Sequence, residues 1–410
     1  MKPLPFNLSD IKTLLSEHPT PLYIYDEEGI RAQIRKLLAA FSWNEGFREY
    51  FAVKALPNPE ILRIAASEGC GADCSSMVEL LIADKAGITG GDIMFSSNDT
   101  PAEEFKAAME RGAHINLDDI NHLDFLEEVA GLPELICFRF NPGSVQGGNA
   151  IIGDPKEAKF GLTRDQMFEA YESAKGKGIK RFGLHTMPIS NELNITYFLE
   201  AAERVFTLAK EIEEKVGITF EFINLGGGLG IPYKPGQKEL DIEGLGSGLK
   251  HVYEKIFGER QSSIKLFLES GRYITGPFGF LVSKVRHVKD SYKQYVGLDA
   301  SMANLMRPGM YGAYHHISVL GKEHEAQGMV YDVVGSLCEN NDKFAIDRQL
   351  PPMEAGDVVV IHDAGAHGHA MGFNYNGKLR SAEFLMHPDK TFTMIRRAET
   401  ADDLFATLVR

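Results

Sequence analysis

At 410 residues the chain is long enough for two or three domains with sizeable cores. Hydrophobic residues at 44% and charged residues at 24% describe an ordinary globular protein and exclude a disordered one. A net charge of -14, with lysines and arginines dispersed and no basic run, argues against nucleic acid or an anionic membrane surface as a partner.

The opening "MKPLPFNLSDIKTLL" has no charged segment followed by an apolar one, and no later apolar run reaches membrane-spanning length. A cytoplasmic protein is expected. Cys70, Cys74, Cys137 and Cys338 form no Cys-x-x-Cys pattern and are expected as free thiols.

After an early strand, "PLYIYD", short apolar runs alternate with amphipathic stretches. The strand candidates are "REYFAVKA", "GADCSS", "DIMFSS", "GAHINLD", "ELICFRFN", "RFGLHTM", "TFEFINLGGG" and "IKLFLESG". Helix-like segments such as "NPEILRIAASEG" and "TPAEEFKAAMERG" separate them, and several end at glycine. Alternation on this scale predicts an α/β fold, a (β/α)8 TIM-like barrel over residues 29–281, at the typical size of about 250 residues. A doubly wound open sheet is the alternative. Beyond residue 281 the segments "LVSKVRHVKD", "KQYVGLD", "QGMVYDVVGSLC", "GDVVVIHDAG", "KLRSAEFLMH" and "KTFTMIR" predict a C-terminal antiparallel β domain over 282–410, joined by residues 1–28.

Barrel chemistry sits at the C-terminal ends of the strands, and these ends carry Lys54, Asp73, Ser96, Asn116, Arg139, His185, Gly226, Gly227, Gly228 and Glu269. Lys54, in "YFAVKALPNPE", ends a buried strand just before Pro57 and Pro59 break the chain. It is either a surface lysine or one chosen for its amine, which forms a Schiff base with a carbonyl compound when its surroundings lower its pKa. The glycine run in "NLGGGLGIPY" is either a phosphate cradle of backbone N–H groups or a tight turn, and it lacks the spacing of a dinucleotide fingerprint. Glu269 in "LFLESGRY" pairs either with Arg272 or with a protonated pyridine nitrogen. His185 is either a satisfied core residue or a ring that stacks on an aromatic cofactor.

In the β domain, Arg307, Tyr311 and Tyr314 suit an anionic ligand, and Cys338 beside Glu339 suits proton donation. Tyr375 stands in "NYNGKLRSAEF". His367 and His369 in "GAHGHAMG" suggest a metal, but two histidines on a glycine-rich loop lack the further ligands of a zinc site, so no metal is expected.

From "PLYIYD" to "IRRAETADDLFA" the chain resembles the fold-type III pyridoxal-phosphate-dependent amino-acid decarboxylases. The motifs that carry the resemblance are "YFAVKA", "NLGGGLGIPY", "ESGR", "MRPGMYGAYH", "CEN" with the following Asp342, and "NYNGKLRSAEFL". It implies the barrel and β domain of the alanine racemase and ornithine decarboxylase fold. It implies that Lys54 holds pyridoxal 5'-phosphate covalently, that His185 stacks on its ring and that Glu269 pairs with the ring nitrogen. Gly226, Gly227, Gly228, Gly271, Arg272 and Tyr375 would complete the cofactor site. Arg272, Arg307, Tyr311, Glu339 and Tyr375 would contact an amino-acid substrate, and Cys338 matches the family's proton donor. A homodimer with shared active sites is implied as well. The activity implied is decarboxylation of meso-2,6-diaminopimelate to L-lysine and CO2. The alternatives are decarboxylation of a related amino acid, such as carboxynorspermidine or ornithine, or a non-catalytic homologue that only holds the cofactor.

Three departures from the family pattern stand out. "TMPISNE" follows His185 where Ile-Gly-Ser is usual, which displaces the serine phosphate contact or hands it to Ser190. "GAH" replaces Gly-Ala-Tyr in the β domain, and "SSNDT" ends the third barrel strand where a glycine and a lysine are common.

Overall fold

Residues two apart on a strand point to the same face, and that rule turns the sequence into a layered barrel. The computed structural model describes residues 3–143, 157–187, 189–258 and 264–409. Among them two units separate: Arg31–Pro232 with Lys238–Tyr273, and Met1–Ile30 with Tyr233–Gln237 and Ile274–Arg410. The short Tyr233–Gln237 stretch, just beyond the glycine run, belongs to the second unit.

The strand β1 (Leu22–Asp26) belongs to that second unit. The first unit holds β2 (Arg48–Ala52), β3 (Gly71–Cys74), β4 (Ile93–Ser96), β5 (His114–Leu117), β6 (Leu135–Phe140), β7 (Arg181–Thr186), β8 (Phe220–Asn224) and β9 (Lys265–Leu268). All pair in parallel with their neighbours, and Arg48 of β2 meets Phe267 of β9 to close an eight-stranded barrel, as the alternation predicts. The open sheet is thereby excluded. A floor of Tyr50, Met94, Leu135, Cys137, Phe222 and Phe267 fills its interior, with Phe222 stacked on Phe267 at 4.5 Å. Gly183 makes room for that stack, because a Cβ there would lie 2.2 Å from the Phe222 ring. Two residues beyond Met94, Cys137, Gly183, Phe222 and Phe267 come Ser96, Arg139, His185, Asn224 and Glu269. The same period that builds the apolar floor therefore raises a polar layer at the C-terminal mouth.

The second unit is a nine-stranded sheet. It adds to β1 the strands β10 (Gly279–Asp290), β11 (Gln294–Leu298), β12 (Ile317–Val319), β13 (Met329–Val334), β14 (Lys343–Leu350), β15 (Val358–Ile361), β16 (Ala382–Met386) and β17 (Phe392–Arg396). Its path is β14-β13-β11-β10-β1-β16-β17, with β15 and β12 branching from β10. The sheet is mixed and not purely antiparallel: β1 pairs in parallel with β16, and β11 with β13. Two strands escape a reading of the sequence. β12 is three residues long, and β14 carries exposed charged positions on a terminal strand whose pairing with β13 shifts register twice. The segment "TADDLFATLV" forms a helix only over Ala401–Phe405.

Among the described residues no helix is long and apolar enough to cross a membrane. All four cysteines are free, and only Cys338 is exposed.

Candidate active site

At the barrel mouth, Lys54 sits in a single 3-10 turn, Val53–Ala55, directly after β2. Its side chain is half exposed and its Nζ lies 3.3 Å from Oδ2 of the buried Asp73 on β3. The surroundings of Lys54 do not lower its pKa. Asp73 first, with Glu269 and Glu79 behind it, raises the Lys54 pKa against the opposing effect of burial. Burial and then Glu269 push the Asp73 carboxyl up to about 8, although Lys54 pulls it back.

Glu269 follows β9 and is almost fully enclosed. Its Oε2 accepts from His185 Nε2 at 3.0 Å, while Oε1 accepts from Asn224 Nδ2 at 2.7 Å and from Ser96 Oγ at 3.3 Å. Burial alone would raise this carboxyl, but His185, Lys54 and Asn224 together hold it down at about 2. Glu269 is therefore an ionised carboxylate through the neutral range, engaged by His185 and Asn224. His185 meets the carboxylate through a ring nitrogen, and its Nδ1 has no hydrogen-bond partner among the described residues. Asp73 Oδ1 and Asn116 Oδ1 are likewise buried without one. Buried polar atoms are nearly always satisfied, so unpaired ones gathered at one mouth point to a polar ligand.

The glycine run connects directly to this carboxylate. Gly226 and Gly228 have φ of +70° and +97°, in the left-handed region that glycine enters freely. A Cβ on Gly226, Gly227 or Gly228 would lie 2.4 Å from the backbone oxygen of Thr186, Glu269 or Ile189 respectively. No larger residue fits at any of the three. Among the described residues the Gly227 N–H meets the thioether of Met187 at 3.0 Å, a weak acceptor that an anion outcompetes. Pro188, next to Met187, lies outside the described residues. Gly271 serves closeness too: a Cβ there would meet those of Ala55 and Ala52 at 2.6 and 3.2 Å, so its absence lets the Ser270 turn press on the Lys54 turn. Arg272 begins the short helix that follows, half-buried in the same unit.

Beside Lys54 and Met187 lies a cavity of about 820 Å³, lined as well by Ser96, Asn98, Arg139 and Ser190 among others. That volume suits a cofactor-sized ligand. Arg139 is paired with Asp118 at 3.2 Å and lies over the Phe160 ring.

The remaining candidates lie in the β unit. Arg307 is 4% exposed, with its guanidinium 4.7 Å from the Tyr233 ring centre and 3.2 Å from His315 Nε2. It opens a short helix, Arg307–Tyr311, whose Gly309 packs so close to Asn341 that a Cβ would sit 2.5 Å from its carbonyl oxygen. This brings the Arg307 helix against the loop that carries Cys338 and Glu339. Asp342 ties the same loop down by accepting from Met302 N–H at 2.6 Å and Leu337 N–H at 2.8 Å. Asn376 Oδ1 accepts from Cys338 N–H at 2.6 Å, so the exposed Tyr375 and Cys338 sit on linked turns. Tyr311 is exposed, and Glu339 caps Asn341 N–H. His369 spends its ring nitrogens on Ser381 O and the Arg380 guanidinium, and no metal-holding cluster occurs among the described residues.

Sequence reasoning did not single out the side-chain roles of Asn224, Met187, Asn376 and His315. Asn224 carried a signal, since it stands two residues past an inward-facing phenylalanine. The Met187 and Asn376 contacts join segments about forty residues apart and leave no local mark, and His315 meets Arg307 from eight residues away without any periodic signal.

An amine that lines a cavity of cofactor size, an ionised carboxylate and a glycine loop with a weakly used N–H, gathered at one barrel mouth, fit pyridoxal phosphate: aldehyde, ring nitrogen and phosphate each find a group. Comparison with known proteins agrees. Residues 27–276 match the pyridoxal-binding domain of the pyridoxal-dependent decarboxylases. The chain is 45% identical to protein TabA of Pseudomonas amygdali pv. tabaci over 95% of its own length and 91% of that protein's. It is 36% identical to the diaminopimelate decarboxylase of Methanothermobacter thermautotrophicus, over 97% and 93% of the two chains. The crystal structure of diaminopimelate decarboxylase from M. jannaschii in complex with L-lysine superposes with a TM-score of 0.90 at 33% identity, covering 97% of this chain and 94% of that one. This chain belongs to the pyridoxal-dependent decarboxylase family. Its cofactor is pyridoxal 5'-phosphate, and it is a carboxy-lyase.

Proposed function

We propose that the protein removes CO2 from meso-2,6-diaminopimelate to give L-lysine, in lysine biosynthesis. The observation that carries the chemistry is the convergence of Lys54, the ionised Glu269 and the glycine run on one barrel mouth. The choice of substrate is supported by relatives named diaminopimelate decarboxylase at 34–36% identity over nearly the whole chain, and by the lysine in the M. jannaschii structure.

When bound, pyridoxal phosphate supplies the aldehyde that takes the substrate amine and a protonated ring that receives the electrons left as CO2 departs. Lys54 Nζ would hold the cofactor through its aldehyde, and beside Asp73 the same amine can carry a proton. Glu269 would pair with the ring nitrogen and keep it protonated, and His185 would pack against the ring. Gly227 and Gly228 would offer backbone N–H groups to the phosphate, Gly226, whose own N–H is taken by Asn224 Oδ1, would hold the run in place beneath it, and Gly271, Arg272 and Tyr375 would complete the cofactor contacts. By the family resemblance, Cys338 Sγ would supply the proton that replaces CO2 on the substrate. Arg307 and Glu339 suit the distal carboxylate and amine by charge, with Tyr311 beside them. We place the protein in the cytoplasm as a homodimer whose subunits share active sites, and the family resemblance supports that assembly.

A second reading, decarboxylation of a related amino acid, is favoured by two observations. The relative named TabA is more similar than the M. thermautotrophicus enzyme, at 45% against 36% identity. Met187 also occupies the loop after His185 where the family usually has Ile-Gly-Ser. The test is CO2 release by purified, cofactor-loaded protein from meso-diaminopimelate, ornithine, lysine, arginine and carboxynorspermidine, with the amine products identified. Lysine from diaminopimelate alone is expected. Turnover of another member only would move the substrate and retain the chemistry.

The Lys54–Asp73 pair gives a pH-dependent prediction. Above pH 8 Asp73 is ionised, while the raised pKa keeps Lys54 an ammonium that does not attack an aldehyde. Asp73→Asn removes the largest cause of that rise. Between pH 8 and 10 cofactor-free D73N is expected to form the borohydride-reducible adduct faster than wild type, with about tenfold more free amine for each unit by which the lysine pKa drops. Stopped-flow absorbance checks this, and equal rates across that window would refute the assignment of the rise to Asp73.

A further inference from the structure

The geometry points to Asn224 as a positioning residue that couples the carboxylate facing the cofactor ring to the loop facing its phosphate. The inference rests on the roles proposed above for Glu269 and the glycine run. Asn224 ends β8 and is 0% exposed. Its Nδ2 donates to Glu269 Oε1 at 2.7 Å, and its Oδ1 accepts from the Gly226 N–H at 2.9 Å. Chemistry fixes the orientation of the amide. Turned over, its oxygen would face a carboxylate oxygen and its N–H groups would face an N–H.

The backbone closes the same circuit. Glu269 N–H donates to Gly226 O at 2.8 Å, so both backbone polar groups of Gly226 are committed to Glu269, one directly and one through the Asn224 amide. Gly226 also sits at φ +70° with Thr186 O pressed against it, so the loop has little freedom to move alone. A displacement of the loop therefore turns the carboxylate, and a turn of the carboxylate is felt at the loop. Only a side chain that donates at one end and accepts at the other does this. Aspartate matches the shape but presents a second carboxylate to Glu269, and two buried carboxylates in contact raise the pKa of one of them strongly.

The titratable groups that face Glu269 are Glu49 and Tyr50 on β2, Lys54 after it, Asp73 on β3, Cys137 on β6 and His185 on β7. All are unchanged in Asn224→Asp, so a difference in pH profile from wild type belongs to position 224.

The experiment measures the pyridoxal phosphate dissociation constant of wild type, Asn224→Asp and Asn224→Ser from pH 6 to 9, with the thermal midpoint of each cofactor-free protein at every pH. At pH 6 a proton shared between the introduced carboxylate and Glu269 preserves the hydrogen bond, and N224D is expected to bind nearly as wild type does. As the pH rises both carboxylates ionise, and the dissociation constant is expected to climb by an order of magnitude or more relative to wild type, the size associated with a lost charged hydrogen bond. N224S, too short to span the two groups, is expected to bind weakly at every pH without that slope. A purely structural role would move the thermal midpoints and leave the slope of cofactor binding parallel to wild type, which would overturn the inference. Wild-type protein that forms no borohydride-reducible adduct would overturn the reading of the site, and the inference with it. A wild-type adduct beside a parallel N224D profile would overturn the inference alone.

Discussion

Lys54→Ala is expected to lose decarboxylation by roughly 10³-fold or more and to lose the borohydride-reducible adduct entirely, because it removes both the attachment point and a proton carrier. Alanine alone leaves the result ambiguous. Asp73 is buried at 1% exposure with only Lys54 as its cationic partner in the ion pair, and Glu269 also draws on the Lys54 charge. Removing the ammonium leaves two carboxyl groups facing each other, so some loss of stability or a proton taken up by Asp73 is expected as well. Lys54→Arg separates these effects. Arginine keeps a charge opposite Asp73 but is never deprotonated in proteins. It is expected to hold the thermal midpoint near wild type while abolishing adduct and turnover. Activity or adduct retained in K54R would show that the amine of residue 54 is not the attachment point.

The barrel was legible because its signal is local. Each strand is a short apolar run with a polar residue within two positions of its C-terminal end, and period two carries the inward face from floor to mouth, as Phe222 to Asn224 and Phe267 to Glu269 show. The glycine run was legible for a related reason: at three consecutive positions a Cβ would come within 2.4 Å of a backbone oxygen, so nothing larger than glycine is admitted. What was lost depends on distance along the chain. The rise in the Lys54 pKa comes from Asp73 and Glu269, 19 and 215 residues away, and no local pattern carries the balance between their charge and burial. The parallel pairing of β1 with β16 joins segments some 360 residues apart, so a run of strands with turns between them reads as antiparallel. β14 was missed because exposed charges on a terminal strand break the apolar alternation that marks strands.

Gly226→Ala is expected to weaken cofactor binding by roughly 30-fold or more, the equivalent of about 2 kcal/mol. Two penalties combine at this position. A Cβ in the left-handed region costs about 1–2 kcal/mol by itself. The same Cβ would lie 2.4 Å from Thr186 O and 2.8 Å from Met187 Sδ, and the first of these belongs to the end of a barrel strand that cannot swing aside as a side chain would. The loop must move instead, and in moving it gives up the Gly226 N–H bond to Asn224 and the Gly226 carbonyl bond from Glu269. Gly236→Ala is the matched control, since Gly236 has φ +81° with no heavy atom within 4 Å of a Cβ, so it carries the conformational penalty without the collision. Gly227→Ala is the converse, a collision at 2.4 Å with Glu269 O and no left-handed backbone. If crowding against the carboxylate strand governs the site, G226A and G227A lose cofactor affinity while G236A loses only a little stability. If all three bind pyridoxal phosphate as wild type does, by absorbance titration, the glycine run is a turn and the phosphate is held elsewhere.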